Sequence, residues 1–290
     1  MKQFFYKNIF VVLFALLFGM IAIPQIAHAS DGNQTIKVVV SDYTNAPFPH
    51  QSRINGRPES EIGPEHFQSA KVALFYPESL TPDESEKVCI ITYVHGWQTD
   101  ISQSEFLELI QKAFVNATNL EHCIIVAPQF AFMANDNSAG KLGEEGGLEK
   151  LLLEVFEKNQ LPGKIGNVIV IAYSGGYNSA TKCLEYNPNL NFVGEVFLDG
   201  LLWYMEDASD RYSSSNRFLW LIYGQEDLSQ NAMKAMKAIM NHAENKYVTQ
   251  NEDQFEKRQP GKEVQIITTE RVHEEIPNML EMILKKLKVK

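Results

Sequence analysis

Cysteine is scarce in this chain. There are three, Cys89, Cys123 and Cys183, with no C-x-x-C pair and no His/Cys grouping at zinc spacing. That excludes a disulfide framework and a zinc ribbon. An H-E-x-x-H helix is missing as well, so the sequence offers no metal ligand set. Cys89 and Cys123 sit near the starts of two apolar runs. A bridge between neighbouring strands is one reading of them, and a pair of small buried hydrophobes is the other. Positive charge is also in short supply, with 26 Lys and Arg against 36 Asp and Glu and a formal charge of -10. This balance argues against nucleic acid or an anionic membrane surface as the main partner. There is no internal repeat, no heptad run and no low-complexity tract, which excludes solenoids and coiled coils.

One long uncharged run is present, and it lies at the start. Lys2 and Lys7 precede Ile9 to Ile23, which carries no charge, and Ala27-His28-Ala29 follows. A basic head, a short apolar stretch and an A-x-A site make a cleavable export signal over residues 1–29, cut after Ala29. The run is shorter than the roughly 20 residues of a membrane-spanning helix. The expectation is therefore a secreted or periplasmic protein, one domain over residues 30–290, with no membrane span once the leader is gone. Losing Lys2 and Lys7 makes that domain more acidic still.

Past the leader, apolar runs alternate with amphipathic stretches. Strands are predicted over 35–43, 69–77, 87–96, 123–130, 167–174, 193–200, 217–224 and 263–270. Helices are predicted over 102–117, 146–159, from Ser174 to about Tyr186, over 228–243 and from Ile276 onward. The helix at 102–117 places Phe106, Leu109, Ile110 and Phe114 on one face. The strands are continuous apolar runs rather than alternating ones, which requires both faces to be covered. Strand–helix alternation on this scale gives an α/β fold: three layers around a mostly parallel sheet of about eight strands. Residues 44–68 and 129–147 are read as long loops.

The stretch "NVIVIAYSGGYNSA" carries the chemistry. A buried strand ends on Ser174 and a helix begins at once, at the carboxyl edge where parallel sheets place their sites. Such a sharp turn crowds its neighbours, and the flanking residues are Ala172, Gly175 and Gly176. This is the G-x-S-x-G nucleophile elbow with alanine in the first glycine position. The competing reading is a serine that merely caps a helix. Three further features favour the elbow. "YVHGWQT" ends a strand in His-Gly and would supply a second oxyanion donor, the Trp97 N–H, beside that of Gly175. In this reading His95 shapes the loop rather than moving protons. "LIYGQEDLSQ" offers Asp227 as an acid, although Glu226 and Asp227 also suit a helix start. "ITTERVHEEIP" places His273 after the last strand, where a general base for a serine hydroxyl belongs. Asp199, in "VFLDGLLW", is the alternative acid. Spacing along the chain favours Asp227.

These motifs, in this order from about residue 69 to the C-terminus, resemble the α/β-hydrolase fold family. The segments Ala127-Pro128-Gln129, Asp136 to Gly147, Ser174 to Tyr177 and Leu198 to Trp203 are similar to a poorly characterised bacterial group with an SGGY elbow. That second resemblance would move the acid to Asp199. The resemblance implies a serine hydrolase with a Ser-His-Asp triad acting on a small-molecule or acyl-ester substrate, with no cofactor. An amidase or peptidase using the same groups remains open, as does a non-catalytic binding protein of the same fold. The interval 201–216 is short and polar, so a large hydrophobic lid is not expected. Phe130, Phe132 and Met133 either line an acyl pocket or pack beneath their loop, and Trp97 and Trp203 stand near the expected mouth.

Overall fold

The protein is described here from a computed structural model, over residues 34–50, 67–131, 138–200, 217–224, 247–257 and 264–288. The leader, Asp227, Trp203, Phe132, Met133 and the helix expected at 228–243 lie outside the described residues. The described strands are β1 (Ile36–Asp42), β2 (Lys71–Pro77), β3 (Lys87–Val94), β4 (Cys123–Pro128), β5 (Lys164–Tyr173), β6 (Asn191–Leu198), β7 (Phe218–Tyr223), β8 (Tyr247–Asn251) and β9 (Val264–Thr268). The helices are α1 (Ser104–Val115), α2 (Gly147–Asn159), α3 (Tyr177–Glu185), α4 (Glu252–Lys257) and α5 (Leu280–Lys286).

All nine strands form one sheet in the order β1-β2-β4-β3-β5-β6-β7-β9-β8. Only the β1–β2 and β2–β4 pairings are antiparallel. The remaining six are parallel.

Side chains alternate between two apolar layers, as the period of a strand requires. Val168, Val170 and Ala172 of β5 enter the core beneath α2 and α3. Ile169 and Ile171 enter the opposite core, with Phe106, Ile110 and Phe114 of α1 and Ile283 and Leu284 of α5. The faces read from sequence hold: Leu148, Leu151, Leu152 and Val155 of α2 are all buried. Sheet and flanking helices make the expected three-layer α/β sandwich.

The sheet has one strand more than expected. The addition is β8, "YVTQN", a polar strand at the end of the sheet that pairs, among the described strands, with β9. An edge strand covered on one side has no need of a continuous apolar run, so the hydropathy signal is absent. Its inward Gln250 is satisfied by a side-chain bond to Gln265 at 2.9 Å. Helix α4 was equally silent in sequence, since Phe255 is its single buried residue. Cys89 and Cys123 are register partners on β3 and β4, and both are free, buried thiols.

Candidate active site

Parallel register brings two strand ends together. Tyr173 of β5 pairs with Leu198 of β6, so the next residues, Ser174 and Asp199, leave neighbouring strands side by side at the carboxyl edge. Both have φ of 50°. This left-handed conformation is unfavourable for a residue with a side chain, and it persists where the surroundings enforce it. A tight turn, Ser174–Gly176, joins the serine to α3. The small residues around it are steric requirements. A Cβ on Gly176 would stand 2.6 Å from the His95 carbonyl oxygen, and one on Gly200 would stand 2.4 Å from that of Ser174. Ala172 is fully buried in the layer beneath, so the methyl in the first elbow position is accommodated.

His273 reaches this edge from the segment after β9. Its Nε2 lies 2.9 Å from Ser174 Oγ, and its Nδ1 lies 2.6 Å from Asp199 Oδ2. With the Nδ1 proton donated to the carboxylate, Nε2 is free to accept from the hydroxyl. The Asp199 side chain is 2% exposed and that of His273 is 32% exposed. The carboxylate is thus enclosed while the imidazole remains open to an incoming molecule. The acid beside His273 is Asp199, the alternative candidate; Asp227, the candidate that spacing favours, is not among the described residues.

The His-Gly loop presses against the serine from the other side. A Cβ on Gly96 would lie 3.1 Å from the Ser174 Cβ. His95 itself is buried and does not face the serine. Its Nδ1–H donates to the Gly96 carbonyl at 2.7 Å, and its Nε2 accepts from the Phe130 N–H at 2.9 Å. Burial lowers its pKa to about 4, so it is held as the neutral imidazole that can accept that bond. The Gly96 carbonyl and the Trp97 N–H belong to one planar trans peptide and point in opposite directions. By fixing the carbonyl, His95 fixes the direction of the Trp97 donor.

Gln129, noted in sequence only as part of "APQ", completes this arrangement. Its Oε1 accepts from the Ile101 N–H, and its Nε2 approaches His95 Nε2 and the Thr99 and Phe130 carbonyls at 2.9 to 3.0 Å. Phe130 packs edge-on against His95 and is not exposed to solvent.

A second support was not foreseen. Arg271 binds Glu252 of α4 through Nε at 3.1 Å and Nη2 at 2.7 Å, and Thr269 donates its hydroxyl to the same carboxylate. Burial works against the Glu252 charge, yet these bonds hold its carboxyl below the usual range. The bonds tie the segment carrying His273 to the sheet edge. No apolar signal marks either partner, and they meet only when β8 and β9 pair. Among the described residues, Trp97 and Val272 are two of four large exposed hydrophobics, at 49% and 37%. One follows Gly96 and the other precedes His273, so apolar surface flanks the serine. No group of three or more His, Cys, Asp or Glu among the described residues is arranged to hold a metal ion. No described helix is long and apolar enough to cross a membrane.

No protein-family model and no curated protein sequence matches the chain. Solved structures do match it. A ferulic acid esterase superposes with a TM-score of 0.53 at 14% identity, over 88% of this chain and 98% of that one. Carboxyl esterase 2 from the mycorrhizal fungus Tuber melanosporum gives 0.52 at 10% identity, over 91% and 90%. An uncharacterized protein from Bacillus cereus gives 0.45 at 14% identity, and the chain spans 61% of its length. With its sheet order and flanking helices, the chain has the α/β-hydrolase fold.

Proposed function

We propose that the protein is an exported serine hydrolase that cleaves a carboxylic ester of a small molecule by acyl transfer. The observation that carries this reading is the relay from Ser174 Oγ to His273 Nε2 at 2.9 Å and from Nδ1 to Asp199 at 2.6 Å. In the first half-reaction Ser174 attacks the ester carbonyl while His273 takes its proton. The negative oxygen of the tetrahedral intermediate is received by the backbone N–H groups of Trp97 and Gly175. His273 then protonates the departing alcohol and an acyl-serine remains. Water enters, gives its proton to His273, and releases the acid by the same path in reverse. Asp199 holds the tautomer and stabilises the imidazolium. This assigns the acid to Asp199 and leaves Asp227 without a catalytic part. The mechanism calls for no cofactor.

The names of the ferulic acid esterase and carboxyl esterase 2 support an ester over an amide. Residues 1–29 are proposed as the leader, so the enzyme works outside the cytoplasm. N-terminal sequencing of the exported protein should begin at Ser30. The decisive test treats residues 30–290 with a fluorophosphonate and with matched ester and amide substrates. Labelling that disappears in Ser174→Ala, with the ester turned over faster, is expected. A folded wild-type protein that resists the reagent would overturn the reading.

A further inference from the structure

The residue preceding the serine touches both loops that serve it. Tyr173 ends β5 with extended backbone at φ -110 and ψ 136. Its ring stacks on the His273 imidazole, centroids 5.1 Å apart and planes 28° from parallel. Its hydroxyl donates to the His273 backbone carbonyl at 3.0 Å. Its other edge meets the oxyanion loop, where a Cβ on Gly96 would stand 2.9 Å from Tyr173 Cδ1. A single side chain, anchored by the ladder to Leu198, therefore lies between the His-Gly loop and the histidine. His273 opens a short 3-10 helix outside the sheet, and no strand pairing holds its backbone.

We propose that Tyr173 is a positioning residue for His273, fixing the plane of the imidazole by stacking and its backbone by the hydroxyl bond. The inference rests on the hydrolase reading above and adds a residue that the relay itself does not contain. Tyr173 acts through the imidazole and not by touching substrate. A stacked neighbour leaves the ring free to slide within its own plane, as it must when Nε2 turns from the serine to the leaving oxygen. It blocks the ring from tipping out of line with Asp199. The aromatic face is also where the imidazolium formed during reaction is favoured. Burial, with the nearby Glu274 and Asp199 charges, raises the phenol pKa, so the hydroxyl stays a donor throughout the neutral range.

The test compares Tyr173→Phe and Tyr173→Leu, each alone and in a His273→Ala background. The readouts are fluorophosphonate labelling rate and kcat and KM on 4-nitrophenyl acetate. Tyr173→Phe keeps the stack and loses the hydroxyl bond, and a drop of about 5-fold in kcat is expected. Tyr173→Leu loses both, and kcat should fall on the order of 10²-fold, the scale of a misplaced catalytic group, with KM within about 3-fold. In the His273→Ala background neither change should reduce the residual rate further, because residues acting as a unit are not additive. Equal losses in both backgrounds, a change confined to KM, or wild-type labelling in Tyr173→Leu would overturn the proposal. Tyr173→Phe, which keeps the packing, decides the matter if the leucine variant does not fold. A wild-type protein that is itself unreactive sinks the hydrolase reading first, which distinguishes the two failures.

Discussion

Replacing Asp199 by asparagine leaves the shape of the relay and removes its charge. The carboxylate is 2% exposed and 2.6 Å from His273 Nδ1, so solvent does not screen it and the bond is charge-assisted. Asparagine can oppose Nδ1 in two ways. With its oxygen inward the bond survives, but the imidazolium formed when Ser174 gives up its proton loses its counter-charge. With its amide inward, two donors meet, and the imidazole must switch tautomer and present Nε2–H to Ser174, where it accepts nothing. The first outcome weakens the base and the second removes it. In a serine relay of this kind the loss in kcat is about 10⁴-fold, or roughly 5.5 kcal/mol in the barrier. Under the proposed assignment the same change at Asp227 should cost less than about 3-fold. The assay is the second-order rate of fluorophosphonate labelling together with kcat/KM on 4-nitrophenyl acetate, with thermal unfolding as the control. Because the substitution is isosteric, Asp199→Asn should unfold near the wild-type temperature. Asp227→Asn losing as much as Asp199→Asn, or Asp199→Asn keeping a tenth of the wild-type rate, would refute the assignment.

Stability should fall as pH drops through the window set by His95. Its pKa is lowered from 6.5 to about 4 by burial, so between those values only the unfolded chain takes up the proton. From pH 7 to pH 5 that amounts to about 2 kcal/mol, flattening below pH 4. Urea midpoints that decline in parallel in wild type and His95→Gln would count against it. Gly176→Ala should destabilise by about 1–3 kcal/mol and slow labelling, because its methyl meets the His95 and Val94 carbonyl oxygens at 2.6 and 2.7 Å. Gly143→Ala, whose methyl meets only side chains, Ala139 at 3.2 Å and Lys182 at 3.6 Å, is the mild control, and equal unfolding temperatures for the two variants would contradict the steric argument. Iodoacetamide should leave Cys89, Cys123 and Cys183 untouched in the native protein, since all three are buried and burial raises the Cys183 pKa to about 12. After denaturation three labels are expected, and a count of one would reveal a Cys89–Cys123 bridge.

Most of the fold was legible because most of the sheet is central. A strand covered on both faces must be apolar throughout, and "IVIAY" or "FLWLIY" states that requirement in its composition. The segment "YVTQN" states nothing of the kind, because an edge strand is satisfied by one neighbour and its polar side chains find partners such as Gln265. The serine and histidine were legible for a related reason. Ser174 directly follows β5 and His273 lies in the segment after β9, and the elbow has a steric signature in its small residues. Of the supports, His95 was legible as a residue that shapes its loop, but its partners were not. Gln129, Arg271 and Glu252 are polar residues with no periodicity, and their partnerships exist only across strands that are distant in sequence.

The acid shows where a reading along the chain gives out and one across the sheet begins. Asp199 and Asp227 both follow strands, and intervals of sequence rank them by length alone. The sheet order ranks them by place. β6 adjoins β5, whereas β7 stands one strand further off. The segment that carries His273 leaves β9, passes over Gly224, where a Cβ would come within 2.7 Å of the Arg271 carbonyl oxygen, and stacks on Tyr173 at the end of β5. A path from β9 to β5 crosses the ends of β7 and then β6. An acid at the end of β6, turned upward by the same positive φ that turns the serine, lies beneath the imidazole at the close of that path. Adjacency of β6 to β5 is therefore what sets Asp199 beside Ser174 and within reach of His273. It follows from strand order, which no interval along the chain encodes.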